Sequence, residues 1–277
     1  MSKKEGSDNY TIQPSLELNS FHPLEDDIIA LDMDSNGKFI MTCSQNKNDL
    51  VIFDLKGSLL ARIDTKQMTT YFACISPCGK YVSACGFTPD VKVWHVKMSK
   101  SGGFEKISTA FGLTQHTSGV YHMAWRNDSA KVATISKDGT WCLYNINSEF
   151  NEAKLCSNGK VDALPDSKVA LSPDGKVMAI SRDKNILLYS LEPKAEFVKE
   201  IELVHNSPII GLIFDAESRW LISAGDKHIR VFHNVIGFKN TLIDLKKTLE
   251  EAVTEGHKDR LKQQIQELTK KLKSIEK

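Results

Sequence analysis

Between two short apolar runs the chain places the same tight turn again and again. The clearest case is Phe72 to Val96, FACISPCGKYVSACGFTPDVKVWHV, and it returns from Val169 to Leu191 as VALSPDGKVMAISRDKNILLYSL. In each, about four apolar residues meet Ser-Pro-x-Gly-Lys, whose Pro presets the first turn position and whose Gly accepts a positive φ. A second strand follows, then a loop containing Asp, then a strand that closes on an aromatic. A unit of this size cannot bury both of its faces alone, so it demands a neighbour of the same kind.

Five copies are present. The others begin at Ile28, His116 and His205, and the basic residue after each first turn serves as a ruler: Lys38, Lys80, Lys131, Lys176 and Arg219. These stand roughly 42 to 51 residues apart, the period of a propeller blade. Runs such as YVSACG and KVATIS are apolar or small on both sides, where a one-sided sheet would alternate with polar residues. Sheets stacked radially against one another meet that requirement, so the expected fold is an all-β propeller of five recognisable blades, as a closed or an incomplete ring. The boundaries expected are a disordered lead and one edge strand over 1–20, blades over 21–237 and a helical tail over 238–277. In the tail, Leu242, Leu245, Leu249 and Ala252 recur at helical spacing, as do Leu261, Ile265, Leu268, Leu272 and Ile275. The two registers do not join, and Gly256 lies between them. That predicts a hairpin of helices over about 238–254 and 258–275. It either dimerises and binds partners or folds on itself and the propeller rim.

Composition narrows the function. A net charge of +1 over 277 residues argues against a strongly electrostatic nucleic-acid or membrane binder. The tail holds 10 Lys/Arg against 7 Asp/Glu, a weak basic bias. No apolar run is long enough to span a bilayer, and the opening MSKKEGSDNY lacks the apolar centre of a signal peptide. Most of the six cysteines fall inside apolar strand patterns, where a free thiol behaves as a small hydrophobe, and their scatter suits a reducing compartment better than a disulfide framework. Cys74, Cys78 and Cys85 have no common zinc spacing. Asn9 and Asn127 head glycosylation sequons by chance in a cytosolic reading. No catalytic motif, phosphate loop or dinucleotide fingerprint occurs, so no enzyme and no cofactor is expected.

Within the third copy, His116, Ser136, Asp138 and the aromatic Tyr144 resemble the His, Ser/Thr, Asp and Trp positions of a WD40 repeat, and His205 and Asp226 take the same places in the fifth. The resemblance implies a hydrogen-bonded relay inside each blade. The closing dipeptides run Phe53-Asp54, Trp94-His95, Tyr144-Asn145, Tyr189-Ser190 and Phe232-His233. None is Trp-Asp, so each relay is expected to be degenerate. More narrowly, GKFIMT, ISPCGKYVSACGFTPDVKVW, SKDGTW and RVFHN with the tail after it resemble the transducin beta-like branch of that family, from about Asp27 onward. That likeness implies a propeller on the cytosolic side of the endoplasmic reticulum, linked to the stress kinase PERK, translational control and the unfolded protein response. The N-terminal membrane anchor and about two repeats of that branch have no counterpart here.

The expected activity is therefore a scaffold for protein–protein interaction, with binding residues on loops held by a rigid frame. The candidate loops between second and third strands offer Phe87, Thr88, Pro89, Lys137, Arg182, Lys184 and Lys227, with Phe87 either an anchor for a partner or packed inside its loop. The alternative is RNA binding through the same basic loops and the tail. The fifth copy passes into the tail with no fourth strand. Tyr10–Leu18, alternating and carrying Pro14, is the spare edge strand that would close a five-bladed ring; without it the blades form an open arc.

Overall fold

A computed structural model of the protein describes residues 2–3, 10–11, 27–44 and 48–275. Ser2–Lys3 (β1) pairs with Tyr10–Thr11 (β2) as a separate two-stranded sheet. The expected Tyr10–Leu18 strand therefore adds to no blade over its first two residues, and its remainder lies outside the described residues.

Five antiparallel sheets follow. Blade 1 is β3 (Ile28–Met33), β4 (Phe39–Ser44), β5 (Asp49–Asp54) and β6 (Leu59–Asp64); blade 2 is β7 (Thr70–Ile75), β8 (Tyr81–Gly86), β9 (Val91–Met98) and β10 (Phe104–Leu113). Blade 3 is β11 (Val120–Trp125), β12 (Lys131–Ser136), β13 (Thr140–Asn147) and β14 (Glu152–Lys160). Blade 4 is β15 (Val169–Leu171), β16 (Val177–Arg182), β17 (Asn185–Ser190) and β18 (Glu196–Ile201). Blade 5 has three strands, β19 (Gly211–Phe214), β20 (Trp220–Gly225) and β21 (His228–His233). Each is a simple up-and-down meander, and the first strands β3, β7, β11, β15 and β19 stand side by side in chain order. This is the propeller that the repeats predict.

Packing explains why the strand interiors are apolar on both sides. Four core clusters fill the seams between successive blades. Phe39, Met41 and Leu50 of blade 1 meet Ile75, Val82 and Trp94 of blade 2. Tyr81 and Val93 meet Met123 and Val132 in the next seam, Ile135 and Trp141 meet Met178 and Tyr189 in the third, and Ala179 and Ile186 meet Leu212 and Leu221 in the fourth. Each interior blade thus buries two faces. Burial of a single large aliphatic side chain contributes roughly 1.5–3 kcal/mol, so each seam outweighs any one hydrogen bond in it.

The Ser-Pro-x-Gly turn behaves as its residues dictate. The Ser76 hydroxyl accepts from Tyr81 N–H at 3.0 Å, Gly79 N–H donates to Ser76 O at 2.8 Å, and Gly79 takes φ +70°. Ser172 repeats the arrangement through Val177 N–H, at 2.9 Å. Both serines are buried in these turns. In blades 3 and 5 the glycine position is held by Ser129 and Ser218, at φ 60° and 57°. Their hydroxyls reach back to the preceding blade, accepting from Cys78 N–H and Asp174 N–H, each at 2.9 Å.

The tail is a hairpin, α1 (Val235–Glu251) and α2 (Glu255–Ile275), each starting three residues earlier than the periodicity alone predicts. Asn234 sets the first start: its side-chain oxygen accepts from Gly237 N–H at 3.0 Å while its amide donates to Ser218 O at 2.8 Å. Gly256 does not end α1; it sits in the first turn of α2, and the break falls at Ala252, which turns extended. The hairpin folds on itself, with Leu261 and Leu272 buried and Lys271 4.2 Å from the Phe238 ring centre. It also docks on blade 4, where Lys176 pairs with Asp244 and Asn240 donates to Ser190 Oγ at 2.9 Å. No helix among the described residues is long and apolar enough to cross a membrane.

Candidate interaction rim

Because every sheet is a meander, the loops between second and third strands emerge at the same end as those leading into each first strand. Main-chain hydrogen bonds tie the two sets together: Phe87 N–H to Thr69 O at 2.9 Å, Lys137 N–H to Gly119 O at 2.9 Å and Val204 N–H to Lys184 O at 2.9 Å. These loops form one rim, braced from below by buried polar groups.

In blade 3 the brace is His116, which is buried. Its Nδ1 lies 3.1 Å from Asp138 Oδ2, and a carboxylate only accepts, so Nδ1 carries the proton. Nε2 then accepts from Thr134 Oγ1 at 2.7 Å. Burial pulls the His116 pKa down against the pull of Asp138 the other way, which keeps the ring neutral. Asp138 itself feels burial pushing its pKa up. The bonds from Thr140, Thr117 N–H and His116 outweigh this and hold it below the ordinary carboxylate value. Its two oxygens thereby join the loop at Thr117 to the turn at Thr140, at 2.9 and 2.6 Å.

Ser136, expected on the imidazole, is not there. Its hydroxyl donates to Gly119 O at 2.9 Å and accepts from Asp138 N–H at 3.1 Å, so it shapes the turn. Thr134, two residues earlier on the same strand face, takes the imidazole instead. Tyr144 OH is buried with no hydrogen-bond partner, so the chain of bonds stops at Thr134. Blade 5 builds the same brace on a tighter turn, with positive φ at both Asp226 and Lys227. His205 Nδ1 lies 2.6 Å from Asp226 Oδ1 and Nε2 lies 2.9 Å from Ser223 Oγ. The bond from His205, then Asn206 N–H and Arg230, hold the Asp226 carboxyl far below its usual range.

On this frame the candidate loop residues separate. Phe87 is 51% exposed and Pro89 lies open beside it, while Thr88 turns inward, its N–H donating to Gln67 Oε1 at 3.0 Å. Lys137 and Lys227 are exposed. Arg182 is engaged with Glu200 at 2.6 Å, and Lys184 is half-buried. The rim also carries apolar side chains that reading only the second-to-third-strand loops misses: Met68, Leu203, which is 77% exposed, and Ile210. Their signal in the sequence is an apolar residue inside an otherwise polar connector, as in Lys66-Gln67-Met68-Thr69. Cys74, by contrast, is driven by burial to a pKa of about 12, the state of a core thiol.

Two segments, 106–145 and 197–233, match the family model described as WD domain, G-beta repeat. Each begins on the outer strand of one blade (β10, β18) and ends on the third strand of the next (β13, β21), so a sequence repeat straddles two sheets. Transducin beta-like protein 2 of Mus musculus is 38% identical over 90% of this chain and 57% of its own length, and that of Homo sapiens 37% over 90% and 56%. The chain thus spans a little over half the length of these relatives. Actin-interacting protein 1 of Drosophila melanogaster is 26% identical over 48% of the chain and 21% of its own length. Among solved structures, a chain in the crystal structure of the mitotic checkpoint complex superposes with a TM-score of 0.60 at 14% identity, covering 74% of this chain and 63% of that one, a likeness of fold. Repeat matches, blade architecture and sequence identity converge: the chain is a WD40-repeat protein related to transducin beta-like protein 2.

Proposed function

We propose that the chain is a non-enzymatic scaffold that holds a protein partner on its loop rim. The observation that carries this reading is that exposed Phe87 and Met68 at blade 2, exposed Leu203 and Ile210 between blades 4 and 5, and exposed Lys66, Lys137 and Lys227 all stand at the same end of the blades, on loops pinned by hydrogen bonds. Rigid exposed apolar anchors ringed by charge suit a partner with apolar and acidic residues, because little ordering entropy is lost when a preformed surface binds. At finer grain, we take that partner to be the endoplasmic-reticulum stress kinase PERK, in the unfolded protein response and translational control, as the sequence resemblance to the transducin beta-like branch implies.

Immobilised chain should retain the cytosolic part of the kinase after nuclease treatment. The double variant Phe87→Ala, Leu203→Glu should reduce capture at least tenfold with an unchanged melting temperature. Retention abolished by nuclease would instead favour RNA on the basic loops. Capture of some other acidic partner that is sensitive to Phe87→Ala would keep the rim and remove the kinase.

A further inference from the structure

In blades 1 to 4 a fourth strand covers the third: β6 on β5, β10 on β9, β14 on β13 and β18 on β17. In blade 5, β21 has β20 on one side and no sheet partner on the other among the described residues. Beside this edge lies a cavity of about 540 Å³ walled by Val198, Ile201, Phe214, Phe232, Ile236 and Ile275, contributed by blade 4, blade 5 and both helices.

The complete blades show what fills the equivalent space. Alternate residues of β14, among them Ala153 and Leu155, turn inward onto the seam with blade 2, and Phe104 and Ile107 of β10 do the same toward blade 1. Among the described residues blade 5 has no such strand, and the cavity occupies that place in its seam with blade 4. Lys199 and His233 also line the cavity, which favours acidic residues on a visitor. A second folded copy is a poor occupant. Its own fourth strands are already paired, and two β21 edges would bring their histidines and Arg230 together.

The geometry points to strand addition: the β21 edge and the adjoining cavity take one extended segment of a separate polypeptide, apolar at alternate positions and acidic between them. The segment would pair with β21 as β14 pairs with β13, its backbone satisfying the open ladder and its apolar side chains entering between Val198 and Phe232. This groove lies on the outer edge of blade 5 and reaches Ile201, two residues from Leu203, whereas Phe87 belongs to blade 2, so Phe87→Ala tests the rim without touching the groove.

A labelled synthetic peptide with the β14 sequence, residues 151–160, carrying Lys154→Glu and Cys156→Ser, serves as the probe against the whole chain in fluorescence anisotropy. Expected are saturable one-to-one binding, at least tenfold loss with a scrambled peptide, and slowed amide exchange across 228–233. Val198 lines the cavity and is 46% exposed in the free chain, so Val198→Asp should weaken binding at least tenfold while leaving the melting temperature in place. Equal binding of the scrambled peptide, indifference to Val198→Asp, or no binding at millimolar peptide would overturn the proposal. So would a dimer of the chain that Val231→Asp dissolves, which makes a second copy the occupant. Binding seen only after deletion of residues 1–26 would overturn it too, by making the chain's own lead the occupant.

Discussion

Ser129 and Ser218 occupy backbone that glycine favours, yet each gives its hydroxyl to the blade before it. Ser129→Ala keeps the left-handed strain and loses the bond, so it should destabilise by about 1 kcal/mol. Ser129→Gly loses the bond but relieves a strain of about 1 kcal/mol, leaving stability near the parent's. Thermal melts of both variants separate the two effects, and an equal loss in each would discard the strain argument. His122 sets a pH limit. It stacks on Phe72, with ring centres 4.0 Å apart, and its Nδ1 accepts from Val169 N–H at 3.3 Å, so it links three blades. Burial, with Lys168 adding to it, lowers its pKa to about 3. The unfolded chain, with His near 6.5, then binds more protons between those values. The His122 contribution is complete above about pH 6.5 and declines below it by up to about 1.4 kcal/mol per pH unit. His122→Gln should flatten the fall in denaturation midpoint between pH 7 and 5, and an unchanged slope would assign it to other groups. At this scale the sequence was partly legible. His116 with Asp138 and His205 with Asp226 meet as their repeat positions imply, because loop length fixes where they lie. Thr134 was hidden because it and Ser136 share a strand face, and only the reach of the imidazole decides between them.

Among elements, the helical hairpin joins the propeller through its cap, Asn234, and a few side-chain bonds to blade 4. Asn234 caps α1 and hydrogen-bonds the blade 5 turn, and a Cβ on Gly237 would lie 2.4 Å from its amide nitrogen. Asn234→Ala removes the cap, worth about 1 kcal/mol, and the bond to Ser218 O, worth about another. The hairpin should then loosen before the blades do. Limited proteolysis should cut within 235–275 at least fivefold faster while the blade fragments persist; uniform acceleration would mean that the hairpin and the propeller unfold as one. The periodic leucines foretold two helices, since apolar spacing is local. The starts and the break were not legible, because a cap that bonds a turn sixteen residues upstream is a tertiary decision, and Gly256 suits the exposed first turn of α2 as well as a helix end.

At the scale of the whole molecule, five blades share four seams among the described residues, so the packing there is not evenly distributed. Blades 2, 3 and 4 are covered on both faces. Blade 5 is covered on one, and on the other it leaves Ile213, Ile229 and Val231 exposed, Ile229 at 72%. The turn ruler and the two-sided apolar strands were enough to read a propeller, because each blade's need for neighbours is written in its own residues. Whether a ring closes depends on how the blades are angled at each seam, which no local pattern carries. In stacked repeats, local stability tracks the number of neighbours. Amide exchange should therefore be slowest in β8, β12 and β16 and at least a hundredfold faster in β20, although β20 is the central strand of its sheet. Loss of the exposed face, through Ile213→Thr with Ile229→Thr, should leave that gradient in place, since those side chains pack against nothing that protects β20. If β20 exchanged as slowly as β12 in the parent chain, and these substitutions accelerated it, the free face of blade 5 would have to be covered in solution, and the open-ended arrangement of seams would give way to a closed one.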